Sequence, residues 1–268
     1  MYDMVGGYVL LCSKLGIAGR KPLTHAQFHK FLSLGVDVPT AAGMKNCPKA
    51  LPGLIEDAAA MGRYVKNARD IVPIILSDER YPQLVKQRLG EEAPGLLWAK
   101  GNLALLNKPT LAVVGSRDLS PEGAEFARTI GTLAAKQGYV LVSGNAAGTD
   151  SIAQDACLAA GGCVISVVAD RLTDKQPHDR ILYLSEDDYD QGFSGARALS
   201  RNNIIHSMGA MTYVAQSAVF RSGTYSGTMR NLKNRWSPVI MHSDGSTAAE
   251  HFAQLGATLV ELQKLRGM

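Results

Sequence analysis

From Pro109 onward the chain repeats one rhythm: a short apolar run, a bend rich in glycine and serine, then a stretch with helical spacing. TLAVV (110–114) leads through GSRDLSPEG into AEFARTIGTLAAKQG, and YVLVSG (139–144) leads into a helix expected from about Asp150 to Ala160. CVISVVA, ILYLS, a helix around 196–208, MTYVA, a helix over 225–235, PVIMH, a helix over 247–255 and TLVEL continue the series. Apolar strands separated by single helices imply a mostly parallel sheet with helices on both faces, so the expected class is α/β. Ligands of such sheets bind beyond the carboxyl ends of the strands, where the bends lie.

Residues 1–70 read differently. LTHAQFHKFLSLG, with Thr24 as N-cap and Gly35 as stop, and GLIEDAAAMGRYVKNA have helical spacing, so a small helical domain is expected there. Residues 71–109 hold two short apolar runs around proline-marked turns and are taken with the second domain, 71–268. A net charge of +4 permits anionic partners without demanding them. No apolar run approaches the ~18 residues of a transmembrane helix, and the first residues carry no signal-peptide pattern. Cysteines 12, 47, 157 and 163 form no CxxC and no metal-ligand spacing, which fits reduced, buried thiols in a cytoplasmic protein. No metal and no cofactor are expected.

The bends carry the chemistry. After the first strand, Gly115 and Ser116 precede Arg117, whose guanidinium grips phosphate bidentately, and Ser120-Pro121 suits an N-cap and first helical position. There is no GxGxxG, and the second strand ends in VSGN without the acid that holds a ribose hydroxyl, which argues against a dinucleotide dehydrogenase. In the second bend Ser143, Gly144, Gly148 and Thr149 are expected to line an anion nest, with Asp150 either capping the next helix or meeting a ligand hydroxyl. A third bend is expected in SRNNIIHSMG, with Arg201, Asn202 and Asn203 opening a helix. A fourth places Ser222, Gly223 and Thr224 in front of another.

Residues 191–243 contain no Asp or Glu but carry Arg197, Arg201, Arg221, Arg230, Lys233 and Arg235, the footprint of a phosphate-backbone binder. Tyr225 and Trp236 lie in or beside this segment, as core aromatics or as base-stacking rings. Catalytic groupings are poor: Ser116 and Ser143 lack visible His-Asp partners, and Glu186, Asp187 and Asp188 read as a solvated loop. His25, His29, His178 and His251 are assigned no chemistry.

Taken together, SDERYPQLVKQRLGEEAPGLLWAKGN, LAVVGSR, LVSGNAAGTDSIAQDACLAAGG, LSE, SRNNII and SGT resemble, in order, the blocks of the DNA-processing protein A family (DprA, also called Smf). The resemblance covers about residues 71–244 and implies an extended Rossmann-like domain that binds single-stranded DNA through these loops. It further implies a non-enzymatic homodimer that helps load a RecA-type recombinase in DNA recombination or uptake. Departures are Gln154 for the family's His, Thr149 for its usual Ile, and Asn203 for the second Arg of RNR. The family's YP..N segment after VVADRL is absent, and the residues after PVIMHSDG leave no room for its frequent winged-helix domain. Two rival readings stay open, a nucleotide-binding sensor and a phosphoribohydrolase-like enzyme, although the latter's PGGxGTxxE block is missing its Glu here.

Overall fold

The structure, a computed structural model, describes residues 4–13, 22–33, 70–220 and 222–266. Its strands are β1 (Ile71–Ile75), β2 (Leu96–Gly101), β3 (Thr110–Val114), β4 (Val140–Ser143), β5 (Cys163–Val167), β6 (Ile181–Ser185), β7 (Thr212–Val214), β8 (Val239–His242) and β9 (Thr258–Val260). They form one sheet in the order β1-β2-β6-β5-β4-β3-β7-β8-β9. The pairs β1–β2 and β2–β6 are antiparallel, and the remaining neighbours are parallel. The two apolar runs of residues 71–109 are thus the antiparallel edge of an otherwise parallel sheet.

Strand β3 is the pivot. The chain adds β4, β5 and β6 outward on one side of it, then crosses back to lay β7, β8 and β9 on the other. Strand order reverses at β3, and connections leaving such a point in opposite directions open a crevice at the strand's carboxyl end.

The helices are α1 (Met4–Cys12), α2 (His25–Ser33), α3 (Gln83–Leu89), α4 (Pro121–Lys136), α5 (Thr149–Ala159), α6 (Gly195–Met208), α7 (Gly223–Asn234), α8 (Thr247–Gln254) and α9 (Leu262–Arg266). Period-two alternation divides them between two faces. Leu111 and Val113 of β3 join Phe126, Ile130 and Leu133 of α4 and Ala153 of α5, while Ala112 and Val114 join a larger core with Ile204, Ile205 and Phe252. Phe126, Ile130 and Leu133 follow helical spacing, and burying each stabilises the fold by roughly 1.5–3 kcal/mol. Ser120 caps α4 by accepting the Gly123 N–H at 3.0 Å, with Pro121 at the first position, as the sequence predicts.

Helices α1 and α2 lie against the antiparallel edge, where Tyr8, Val9, Leu11 and Phe28 share one core with Leu97 and Trp98. Thr24 accepts the Gln27 N–H at 3.3 Å, so the predicted N-cap forms. The predicted stop at Gly35, Cys47 and most of the proposed helical domain, residues 34–69 included, lie outside the described residues. At the other end, TLVEL is not one strand. β9 stops at Val260, and Leu262 begins α9, where buried Leu265 joins the α4 face. Cys157 and Cys163 are free thiols, and burial pushes that of Cys157 up to about 11. No helix among the described residues is long and apolar enough to cross a membrane.

A sharp packing constraint lies at Gly131 on α4, because a Cβ there would strike the backbone carbonyl of Ala153 on α5. Gly131→Ala gains up to ~1 kcal/mol of helix propensity but overpacks against backbone that cannot rotate away, at a cost of roughly 1–3 kcal/mol. The expected result is a lower urea midpoint. An unchanged or higher midpoint would show that α4 and α5 separate freely.

Candidate functional site

A cleft of about 460 Å³ opens at the carboxyl end of β3. Its walls are residues 114–117 after β3, Ala146 and Asp150 of the next bend, one face of α6 and the first turn of α7. Side chains tie these remote segments together. The Thr149 hydroxyl donates to the Ser116 carbonyl at 3.0 Å, and the Thr224 hydroxyl to the Gly115 carbonyl at 2.8 Å. The Asn202 amide donates to the Gly223 carbonyl at 3.2 Å. Gly148 adopts φ +82°, with the Arg117 backbone occupying the place of any Cβ, so this crossing of two bends requires glycine.

The second bend is closed by the protein's own charge. Asp150 sits in the first turn of α5, and one carboxylate oxygen accepts the N–H groups of Gly144 and Ala146, each at 3.2 Å. Arg201 Nη1 lies 3.8 Å from that oxygen, both side chains being almost wholly buried. The Arg201 guanidinium rests on Gly144 where a Cβ would stand. Burial raises the proton affinity of the Asp150 carboxyl and Arg201 opposes it; burial lowers that of Arg201 and Asp150 opposes it. Arg201 Nε is left without an acceptor among the described residues.

This geometry revises the anion-nest reading of Ser143, Gly144, Gly148 and Thr149. The nest exists, but it holds Asp150, and fully buried Ser143 and Thr149 do not line the cleft. Asp150 does not cap α5 either. The N-cap is Gly148, and Asp150 reaches back across the bend instead.

The third bend is also revised. Ser194 caps α6 by accepting the Arg197 N–H at 3.2 Å, so the helix begins at Gly195 and Arg201, Asn202 and Asn203 lie in its middle. Successive helical residues point about 100° apart. Arg201 and Asn202 therefore line the cleft, and Asn203 faces a separate cavity.

Several anion-seeking groups in the cleft remain uncommitted. Ser222 caps α7 by accepting the Tyr225 N–H at 3.0 Å, which leaves the N–H groups of Gly223 and Thr224 without an acceptor among the described residues. The first N–H groups of α6, at Gly195 and Ala196, are in the same state, and Gly195 lines the cleft. Free N–H groups and the macrodipole make such helix starts attractive to anions. Arg117 is exposed, makes no ion pair with a described residue, and lies 5.7 Å from the centroid of the Phe193 ring.

The acid-free segment is neutralised in part, and of its described cations only Lys233 and Arg235 stay exposed with no ion pair to a described residue. Arg197 pairs with Asp187 at 2.8 Å, Arg230 with Glu92 at 2.7 Å, and Arg201 with Asp150; Arg221 lies outside the described residues. Tyr225 and Trp236 are buried. Among the described residues the exposed phenyl rings are Phe193 (59%) and Phe220 (72%), and half-exposed Leu199 lines the cleft. The sequence signals Phe193 only by its place in a Gly- and Ser-flanked loop before an Arg-bearing helix. Glu186 also departs from its solvated-loop reading, since burial pushes its carboxyl up to about 7 against a hydrogen bond from Ser200.

Known proteins share this architecture. The family model described as DNA recombination-mediator protein A matches residues 73–265. The DNA processing protein DprA of Streptococcus pneumoniae is 32% identical over 154 residues, covering 54% of this chain and 53% of that protein. Its Bacillus subtilis counterpart is 31% identical over 131 residues, covering 48% and 42%. The matched stretch thus spans about half the length of these curated relatives or less. A crystal structure of DNA processing protein A from Streptococcus pneumoniae superposes with a TM-score of 0.77 at 26% identity, over 100% of this chain and 98% of that one. DNA processing protein A from Helicobacter pylori, whose structure concerns its single-stranded DNA binding mode, shares the fold with a TM-score of 0.61 at 22% identity, over 74% and 94%.

Removing Asp150 takes away the acceptor for the buried Gly144 N–H and the part-buried Ala146 N–H, and leaves Arg201 an uncompensated buried charge. Asp150→Ala is expected to cost roughly 3–5 kcal/mol in urea unfolding at neutral pH. A loss under ~1 kcal/mol would show that the bend does not depend on the pair.

Proposed function

The chain belongs to the DNA recombination-mediator protein A family, and from that premise we propose that it binds single-stranded DNA along the β3 cleft, in DNA processing or recombination. One observation carries the reading: two helix starts whose first N–H groups have no acceptor among the described residues, and the guanidinium of Arg117, which pairs with no described acid, converge on a single cleft at the point where strand order reverses. Phosphates suit both kinds of donor, and a backbone that repeats its phosphate suits donors spread along a cleft. Gly115, Ser116, Arg117, Arg201, Asn202, Ser222, Gly223 and Thr224 are the contact residues in this reading. Ser143, Gly144, Gly148 and Thr149 shape the wall behind them.

Phosphate contacts of this kind give affinity with little base readout, and Phe193 beside Arg117 offers a ring on which any base stacks. The single-stranded DNA binding of the Helicobacter pylori protein, which shares the fold, supports the assignment. A RecA-type recombinase and a second copy of the chain are the partners this reading entails.

The test is a salt-titrated binding assay on an oligothymidylate, a duplex of equal length and a nucleoside monophosphate. The single strand should bind best, with log affinity falling linearly with log salt by about 0.7 for each phosphate contacted. Arg117→Ala should weaken binding roughly tenfold on every sequence and lower that slope by about one phosphate. Tighter binding of the monophosphate, or an Arg117→Ala protein with unchanged affinity and slope, would overturn the proposal.

A further inference from the structure

The face of α6 turned away from the cleft carries Ser200 and Asn203, one helical turn apart. Together with Glu186 after β6, His25 of α2, Glu92 after α3 and Arg230 of α7, they enclose a cavity of about 180 Å³. Two acceptors on this wall, Glu186 Oε1 and Asn203 Oδ1, are buried and receive no hydrogen bond from a described residue. A native fold rarely leaves one such atom unpaired, and here two of them belong to one small space.

The other polar groups are already committed. Arg230 Nη2 donates to Glu92 at 2.7 Å. His25 Nδ1 donates to the Glu92 carbonyl at 3.0 Å, and burial lowers the ring's proton affinity, so the neutral ring presents Nε2 as a further acceptor. Asp187 and Arg197 are paired with each other, and Arg201 faces the cleft on the opposite side of α6. Ser200 gives its hydroxyl to the Glu186 carboxyl and Arg230 is engaged by Glu92, so what the two open acceptors lack is a further donor, and a positively charged one suits the carboxyl group.

We propose that this cavity binds a small organic cation with a guanidinium head, held by Glu186 and Asn203. A guanidinium presents a planar fork of N–H donors, which serves two acceptors at once, whereas a primary ammonium is a compact point charge. The site is separate from the β3 cleft and does not rest on the DNA reading.

The experiment is calorimetric titration of the full chain with methylguanidinium, with methylammonium and potassium as parallel arms at constant ionic strength. Methylguanidinium should bind saturably, one per chain, and potassium should not. Methylammonium should bind more weakly. Glu186→Gln keeps the shape and removes the charge, and should weaken binding roughly tenfold or more. Asn203→Leu fills the cavity with an apolar side chain and should abolish binding. Should Glu186→Gln fail to fold by circular dichroism, Asn203→Leu decides the matter alone. Affinity should also fall as pH drops below about 7, because protonation removes the Glu186 charge. No saturable methylguanidinium binding in the wild type, or binding that survives in folded Asn203→Leu, would overturn the proposal.

Discussion

The buried pair of Asp150 and Arg201 is the joint on which the cleft depends. Each charge costs several kcal/mol to remove from water, and at 3.8 Å their attraction recovers about 4 kcal/mol at an effective dielectric constant near 20. The pair is therefore no net source of stability. Its contribution is position. Asp150 gathers the Gly144 and Ala146 amides and thereby closes the second bend, and the α5 N-terminus helps to hold its charge. Arg201 is drawn from α6 onto Gly144, which brings the crossover helix against the strand ends. With that contact made, Asn202 reaches the Gly223 carbonyl and the start of α7 is fixed beside the bend after β3.

Much of this architecture is legible in the sequence, because buried strands and capped helices are local events. The apolar runs at 110–114, 140–143, 163–167 and 181–185 become adjacent strands, and Ser120-Pro121 opens α4 where its chemistry says it should. The site is less legible, for two physical reasons. The helix expected around 196–208 forms as Gly195–Met208, so Arg201, Asn202 and Asn203, read as opening it, lie in its middle and Asn203 turns to the far face. Charge along the chain also differs from charge in space: Asp187, Asp150 and Glu92 arrive from outside the acid-free segment and neutralise Arg197, Arg201 and Arg230. Arg117, the cleft-lining cation with no ion-pair partner among the described residues, lies outside that segment altogether.

Helix α6 is the element with two sides. Toward the sheet switch it offers Arg201 and Asn202 to a cleft rich in donors; toward α2 and α7 it offers Ser200 and Asn203 to a cavity rich in acceptors. The opposite chemistry of these faces follows from helical periodicity alone, within four consecutive residues. It also accounts for the family resemblance and its limits, since the SRNN stretch serves both faces and a change at Asn203 leaves the cleft lining untouched.

The central claim is that the uncommitted amides at the β3 cleft receive the phosphates of a single strand. Hydrogen–deuterium exchange of the free chain and of its complex with an oligothymidylate measures those amides directly. The account predicts slowed exchange at 195–196 and 223–224, with Ser116, already bonded to the Gln216 carbonyl, and Gly144 and Ala146, already bonded to Asp150, changing little. Protection that falls elsewhere while these segments exchange at their free rate would contradict it.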